Sequence, residues 1–325
     1  HFYHWWGEII IGMWRVYSSL APTHNIPLPS RFVLPVITGE EWRDRAGLIG
    51  PLMRAAFPET SIEKADYWKD LSKLGTTFVF DRAMIINRSL AHKHPFSGKW
   101  FKMMAGTMSV IAPEHFWEPI RKSMVLNTIG YVPSIDSRGR VLRDSLHPST
   151  VPLPSDKGDR YALPVVTYIS RQSAGRRLVD KDHQLLVESL RALEAEGLCT
   201  LQIPVMERLS IREQAALIAT TTILVGVHGN GLTHQLIMPP SLRSAVFEIL
   251  DPPSYTFDYE MLARNMGHKH YAVHNDTLVT FPKGQPHEGV HFTDGFHGDS
   301  IHVYGPVIAD MIKLRLTQAD EAVQD

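Results

Sequence analysis

In the second half of the chain, short apolar runs alternate with longer stretches of helical spacing. Residues 163–169, 200–203, 223–227, 245–250 and 271–274 have the composition of strands. Between them, residues 182–196 bring Leu185, Leu186, Leu190 and Leu193 to one side of a helix, with Gly197 near its end. Ser210-x-x-Glu213 is a capping-box pattern opening a helix that ends near Thr220, and residues 257–266 have helical spacing again. Strands alternating with helices predict a parallel, Rossmann-like sheet, with any ligand at the carboxyl ends of its strands. A last helix is expected over residues 303–316, with Ile308, Ile312 and Leu316 on one side.

The first half is less regular. Residues 1–17 read as a helix with Phe2, Trp5, Ile9, Met13 and Tyr17 inward; His4, Glu8, Ile11 and Arg15 form a second stripe. Residues 31–37 read as a strand. Thr60-x-x-Glu63 predicts a capped helix carrying Tyr67, Trp68 and Leu71. Residues 76–80 read as a strand with Asp81 and Arg82 at its end, second-tier site candidates beside a plain surface ion pair. His92, His94 and Lys99 read as loop, and residues 112–124 as a helix with Trp117 and Ile120 inward. From 134 to 160 proline, glycine and charge replace periodic apolar content, which predicts a domain boundary: 1–150 and 151–325.

Composition narrows the class. At 325 residues and 44 % hydrophobic content, one large or two moderate cores are available. A formal charge of −1 carries no footprint for nucleic acid or an anionic membrane. The single Cys199 rules out an internal disulfide framework, and no apolar run reaches the roughly 18 residues of a membrane span. The chain opens at His1 inside helical spacing, so an N-terminal targeting or anchor region is expected to be missing.

Candidate chemistry gathers after the strand at 223–227. His228-Gly-Asn-Gly231 forces a turn, and residues 232–238 look like a short helix stopped by Pro239 and Pro240. Strand, glycine turn and helix present backbone N–H groups to a phosphate, or form a merely structural corner. The spacing Gly226-x-x-Gly229-x-Gly231 matches neither the dinucleotide fingerprint nor a P-loop. Arg171 and Arg176, just past the first strand, offer planar donors to phosphate oxygens or are a solvated basic loop. Glu248 at a strand end suits ribose hydroxyls or an ion pair. His4 and Glu8, one turn apart, suit proton abstraction or form a surface polar pair. Asp180-Lys-Asp182 spells a metal-binding D-x-D but precedes a leucine-patterned helix, where Asp182 suits the N-cap. Histidines 268, 270, 274, 287, 291, 297 and 302 form no recognisable metal set.

Val225-Gly-Val-His-Gly-Asn-Gly-Leu-Thr-His234, followed by Met238-Pro-Pro240, resembles the signature of glycosyltransferase family 61. That family includes plant xylosyltransferases and animal N-acetylglucosaminyltransferases of the secretory pathway; His234 stands where many members have Asn. His4-Trp-x-x-Glu8, Ile169-Ser-Arg171 with Arg176-Arg177, Glu248-Ile249 and residues 263–271 resemble further family elements. The resemblance implies an α/β, GT-B-type fold of two Rossmann-like domains with an inter-domain cleft, the terminal helix crossing back onto the first. It implies inverting transfer of xylose or N-acetylglucosamine from a UDP-sugar to a hydroxyl of a glycan or glycoprotein, with no metal or other cofactor. His4 would be the base, with Glu8 as partner or alternative. Arg171, Arg176, His228, Gly229, Asn230, Gly231, Leu232, Thr233 and Glu248 would surround the nucleotide sugar. A type II protein of the Golgi or endoplasmic reticulum lumen is expected, with no nucleic-acid partner and membrane contact only through the missing anchor. The alternative is a catalytically inactive nucleotide-sugar or glycan-binding module of the same fold. A hydrolase is excluded by the lack of a G-x-S-x-G elbow.

Overall fold

A computed structural model describes residues 1–146, 160–282, 285, 287 and 289–320. The chain divides into two compact units, His1–Met124 and Val125–Asp325. The division falls ahead of the proline- and glycine-rich stretch that suggested a boundary. Part of that stretch is built into the second unit: Thr222 Oγ1 donates to Gly139 O at 2.6 Å. His147 to Asp159, which contains the expected break at 150, lies outside the described residues.

The first unit is mostly helical. A π-helical run, His4–Ile10, continues into α1 (Ile11–His24). Its wider turn adds a residue to the repeat. The buried side therefore passes through Trp6, Ile10 and Trp14, while Ile9, Met13 and Tyr17, expected inward, are half-buried. Then follow β1 (Arg31–Leu34), α2 (Ile49–Ala56), β2 (Ser61–Lys64), α3 (Ala65–Ser72), α4 (Arg88–Ala91), α5 (Pro95–Trp100) and α6 (Glu118–Ile129), which runs on into the second unit. β1 and β2 pair in parallel, Arg31 opposite Ser61, and make the unit's sheet. Two short strands are not the Rossmann-like sheet that the resemblance implies.

Three local readings are corrected here. Thr60 does not cap a helix: its hydroxyl donates to Pro29 O at 2.8 Å, and residues 61–64 pair with β1 instead. Residues 76–80 form no strand, because no neighbour supplies a ladder; Phe78 and Phe80 rest on Trp68 and stay partly exposed. Of His92, His94 and Lys99, the histidines lie in the turn between α4 and α5 as expected, but Lys99 is helical, in α5, which His94 Nδ1 caps by accepting from Phe96 N at 3.2 Å.

The second unit carries β3 (Arg140–Leu142), β4 (Tyr161–Ile169), α7 (Asp180–Ala195), β5 (Thr200–Gln202), α8 (Ile211–Ile218), β6 (Thr221–Val227), β7 (Ala245–Ile249), α9 (Asp258–Met266), β8 (Lys269–His274), β9 (Thr277–Val279) and α10 (Gly305–Thr317). The alternation read from the sequence is realised, and Ser210 and Glu213 form the full capping box of α8. β4 to β8 run parallel in the order β5-β4-β6-β7-β8; β3 and β9 pair antiparallel on β4 and β8. Each parallel strand is buried on both faces, hence the near-continuous apolar runs.

One face, with Tyr168, Val225 and Phe247, packs under α7 and α10. The opposite face carries Ile169, Gly226, Glu248 and His270, the alternate positions. Asp180 and Asp182 lie in the first turn of α7, where carboxylates meet the positive end of the helix. Val179 is the N-cap, however. Asp182 Oδ2 instead takes His302 Nδ1 at 2.8 Å and Val303 N at 3.4 Å. Cys199 is buried, which pushes its thiol up to about 12 and leaves it a small hydrophobe. Among the described residues no helix is long and apolar enough to cross a membrane.

α10 lies against α7 at Gly305, where a Cβ would sit 2.4 Å from Leu186 Cα. Backbone cannot yield as a side-chain tip can. Gly305→Ala is expected to lower the unfolding free energy by about 1–3 kcal/mol, the usual cost of overpacking, read as an earlier urea midpoint. An unchanged midpoint would contradict the close approach.

Candidate active-site residues

In the first unit, the π-helical run sets His4 and Glu8. Its geometry is tight at Gly7, where a Cβ would lie 2.6 Å from the Tyr3 ring. Glu8 is buried; its Oε1 meets His4 Nδ1 at 2.5 Å, and Met103 N donates to its Oε2 at 3.4 Å. Burial works to raise the Glu8 carboxyl, but the hydrogen bond from His4 and the charge of Lys102 outweigh it and leave it lowered. An ionised Glu8 only accepts, so His4 Nδ1 donates, and Nε2 of this exposed imidazole is left to take a proton. The geometry therefore separates the pair: Glu8 holds the tautomer, and His4 Nε2 is the accessible acceptor.

In the second unit, the strand order reverses direction between β4 and β6. Such a switch point leaves a crevice outside the carboxyl ends of the two strands. Those ends are Ile169-Ser170-Arg171 and Val227-His228-Gly229. Here the glycines find their reason. At Gly229 φ is +152°, and a Cβ would fall 1.6 Å from Arg171 Nη1; at Gly231 it would fall 2.9 Å from Ile169 Cγ2. At Gly226 it would fall 3.1 Å from Leu232. The spacing thus serves the approach of the turn to the end of β4.

Arg171 Nε donates to Arg176 O at 3.3 Å, and Arg176 Nη1 donates to His228 O at 3.2 Å. Arg176 also lies over the Phe296 ring at 4.5 Å and donates to His297 Nδ1 at 2.6 Å. Burial pushes both guanidinium groups down from the ordinary arginine range, and Arg171's charge adds to this at Arg176. Both stay cationic. Among the described residues neither forms an ion pair with a carboxylate. Two partly buried cations close together, with no carboxylate ion pair among the described residues and with Asp258 and Glu248 acting on Arg176 only at longer range, suit a multiply charged anion.

Several expected contacts are corrected. Glu248 does not face a ribose: it is fully buried, Oε1 bonded to His228 Nδ1 and Oε2 to His270 Nε2 at 2.7 Å. Burial pushes this carboxyl up, yet the hydrogen bonds and charges of the two histidines win and hold it near about 2. Its work is to orient His228. Leu232 and Thr233 are also buried, Leu232 against Gly226 and Thr233 near the Tyr259 hydroxyl, and neither is offered to a ligand. The short helix expected over residues 232–238 is present as a 3₁₀ run, Asn230–Leu236, that starts two residues earlier. Asn230 is half-buried at its start.

Burial pushes His234 down to about 4, and it serves structure, with Nδ1 on Gly231 O and Nε2 beside Gln214 Oε1. Asp81 and Arg82 are exposed, Arg82 donating to Asn25 O at 3.0 Å, away from any strand end. Among the described residues no group of three or more His, Cys, Asp or Glu is placed to hold a metal ion.

Four residues at this corner escaped the sequence reading. His270 joins Glu248 from the next strand; the His268/His270 alternation was visible, but not its partner. Tyr259 and Phe296 press on the His228 ring at 5.2 and 4.9 Å between centroids, and His297 takes Arg176. The last two come from residues 280–300, whose Gly, His and Pro content reads only as a polar loop.

Gly229→Ala should displace the Arg171 guanidinium, a flexible tip, with the fold retained. Losing that charged donor costs about 1.5–3 kcal/mol of binding, roughly 10- to 100-fold in UDP affinity by calorimetry. Glu248→Gln has one acceptor oxygen for two imidazole N–H groups, so it should weaken UDP binding too while Arg171 stays in place in its crystal structure. Unchanged affinity in both variants would remove this corner from ligand binding.

Two comparisons with known proteins bear on this geometry. Residues 2–246 match the model of the family described as Glycosyltransferase 61. Over 125 residues the chain is 34 % identical to the EGF domain-specific O-linked N-acetylglucosamine transferase of Drosophila melanogaster. That match covers 38 % of this chain and 22 % of the fly protein, so the chain spans well under half of that relative's length. With the family matched over most of the chain, the sequence signature and the built corner point the same way: the chain belongs to glycosyltransferase family 61.

Proposed function

We propose that the chain transfers a sugar, N-acetylglucosamine or xylose, from a UDP-sugar to a hydroxyl of a glycan or glycoprotein, with inversion and without a metal. The observation that carries this reading is the pair of guanidinium groups, Arg171 and Arg176, unpaired with carboxylates at the β4–β6 switch point beside Gly229. The name of the fly relative supports N-acetylglucosamine and a protein hydroxyl. The second unit is read as the half that binds the nucleotide sugar, and the first as the half that supplies the base. We place the protein in the lumen of the Golgi or endoplasmic reticulum, held by a membrane anchor.

In this reading the acceptor oxygen attacks the anomeric carbon from the side opposite the diphosphate. The bond from that carbon to the β-phosphate oxygen breaks as the new glycosidic bond forms. His4 Nε2 takes the hydroxyl proton, with Glu8 fixing its tautomer and balancing the imidazolium. Arg171 and Arg176 meet the charge that builds on the departing UDP, work that divalent cations do in other transferases. The Gly229 N–H, without a backbone acceptor among the described residues, is a third donor.

Removing one such donor costs about 10²–10³-fold in turnover where it has been measured elsewhere. Arg171→Ala is expected to fall in that range with an unchanged melting temperature, and EDTA to leave wild-type activity intact. His4→Ala should retain UDP binding and lose about 10²–10⁴-fold in kcat. Full activity in His4→Ala would reassign the base. Protection of the wild type against heat by a panel of UDP- and GDP-sugars identifies the donor. If none protects, the nucleotide-sugar reading fails.

A further inference from the structure

The sequence holds two Asn-x-Ser/Thr triplets, Asn87-Arg88-Ser89 and Asn275-Asp276-Thr277, neither with proline in the middle. In a chain that passes through the secretory lumen this is the acceptor pattern for an N-linked glycan. The pattern alone is weak; its place in the fold decides. A glycan is bulky and hydrophilic, so it needs an asparagine whose side chain has no other task and whose surroundings are open.

The two asparagines differ in this respect. Asn87 is the N-cap of α4, its Oδ1 accepting from Leu90 N at 3.0 Å. Asn275 and Asp276 form the two-residue turn between β8 and β9, and residues 275–277 are exposed. The turn is firmly seated: His274 pairs with Thr277, and Tyr304 N donates to Asn275 O at 3.0 Å. Asn275 has φ +55°. Among the described residues its side-chain amide makes no hydrogen bond.

A left-handed residue in a hairpin turn favours Asn, Asp or Gly, so the backbone by itself accounts for Asn275. It does not call for Thr277. That hydroxyl is exposed, and its bond goes to the adjacent, equally exposed Asp276 carboxylate at 3.2 Å. A free amide on a rigid surface turn, with a threonine two residues on that the fold does not need, is a modification site.

We propose that Asn275 carries an N-linked glycan. The proposal rests on the lumenal placement given above. The host's transferring enzyme would use a lipid-linked oligosaccharide diphosphate as donor. Asn275 Nδ2 attacks the anomeric carbon, the bond from that carbon to phosphate oxygen breaks, and the lipid diphosphate leaves. The new carbon–nitrogen bond replaces one amide hydrogen, which departs as a proton. Asn275 follows the carboxyl end of β8, two strands along the sheet from β6.

The test is translation of the full-length gene product with microsomes, in an Asn87→Gln background so that any glycan belongs to residue 275. Protease protection reads lumenal entry separately. The expected result is a protected chain whose gel mobility shifts on peptide:N-glycosidase treatment. That shift should vanish in Asn275→Gln and Thr277→Ala, persist in Thr277→Ser, and leave transferase activity unchanged throughout. A protected chain with no shift overturns the glycan while the lumenal reading stands. An unprotected chain overturns the lumenal reading, and the glycan with it.

Discussion

At the carboxyl ends of β4 and β6, a backbone turn and a guanidinium group occupy space that a single methyl group would fill. Gly229 has no side chain, and so Arg171 can lie across it. Gly231 and Gly226 repeat the arrangement more mildly against Ile169 and Leu232. Parallel strands place their carboxyl ends side by side, and bare backbone there lets cationic side chains of one strand cover the turn that follows the other. This packing brings Arg171 and Arg176 together.

Behind that corner is a second constraint, the ionised Glu248 between two imidazoles in the sheet interior. A buried carboxylate is costly unless each oxygen is met by a donor, and removing either donor leaves the charge stranded. Both oxygens are met. The arrangement fixes the His228 ring, and with it the carbonyl that receives Arg176. Phe296 and Tyr259 close the sides of the ring, and His297 takes the far edge of Arg176. A charge buried in the sheet thereby bears on where Arg176 is placed.

The second unit was largely legible in the sequence because its elements are local and strongly patterned. Runs buried on both faces, a Ser210–Glu213 cap and a leucine stripe each point to one structure. The first unit was legible only in part: its opening helix, the strand from Arg31 and the helix carrying Tyr67, Trp68 and Leu71 are present, and other readings fail. A π-helical turn shifts the phase of the opening helix by a residue, and residues 61–64 choose a strand partner over the helix that their cap pattern suggests. In the site, Arg171 and Gly229 could be named singly from their places after strands, but their mutual contact depends on the order in which strands lie, which no local spacing encodes. Glu248 was found for the wrong task, since its partner His270 is fixed by the register of a neighbouring strand. Phe296 and His297 reach the site from a distant polar segment that carries no pattern of its own.

The two arginines have a consequence for handling the protein. Two cations that form no ion pair with a carboxylate among the described residues would attract small oxyanions, so sulfate or inorganic phosphate in a buffer would compete with a nucleotide bound there. Apparent nucleotide affinity should therefore depend on the choice of buffer salt, and the resting site is better thought of as exchanging one anion for another than as filling an empty space.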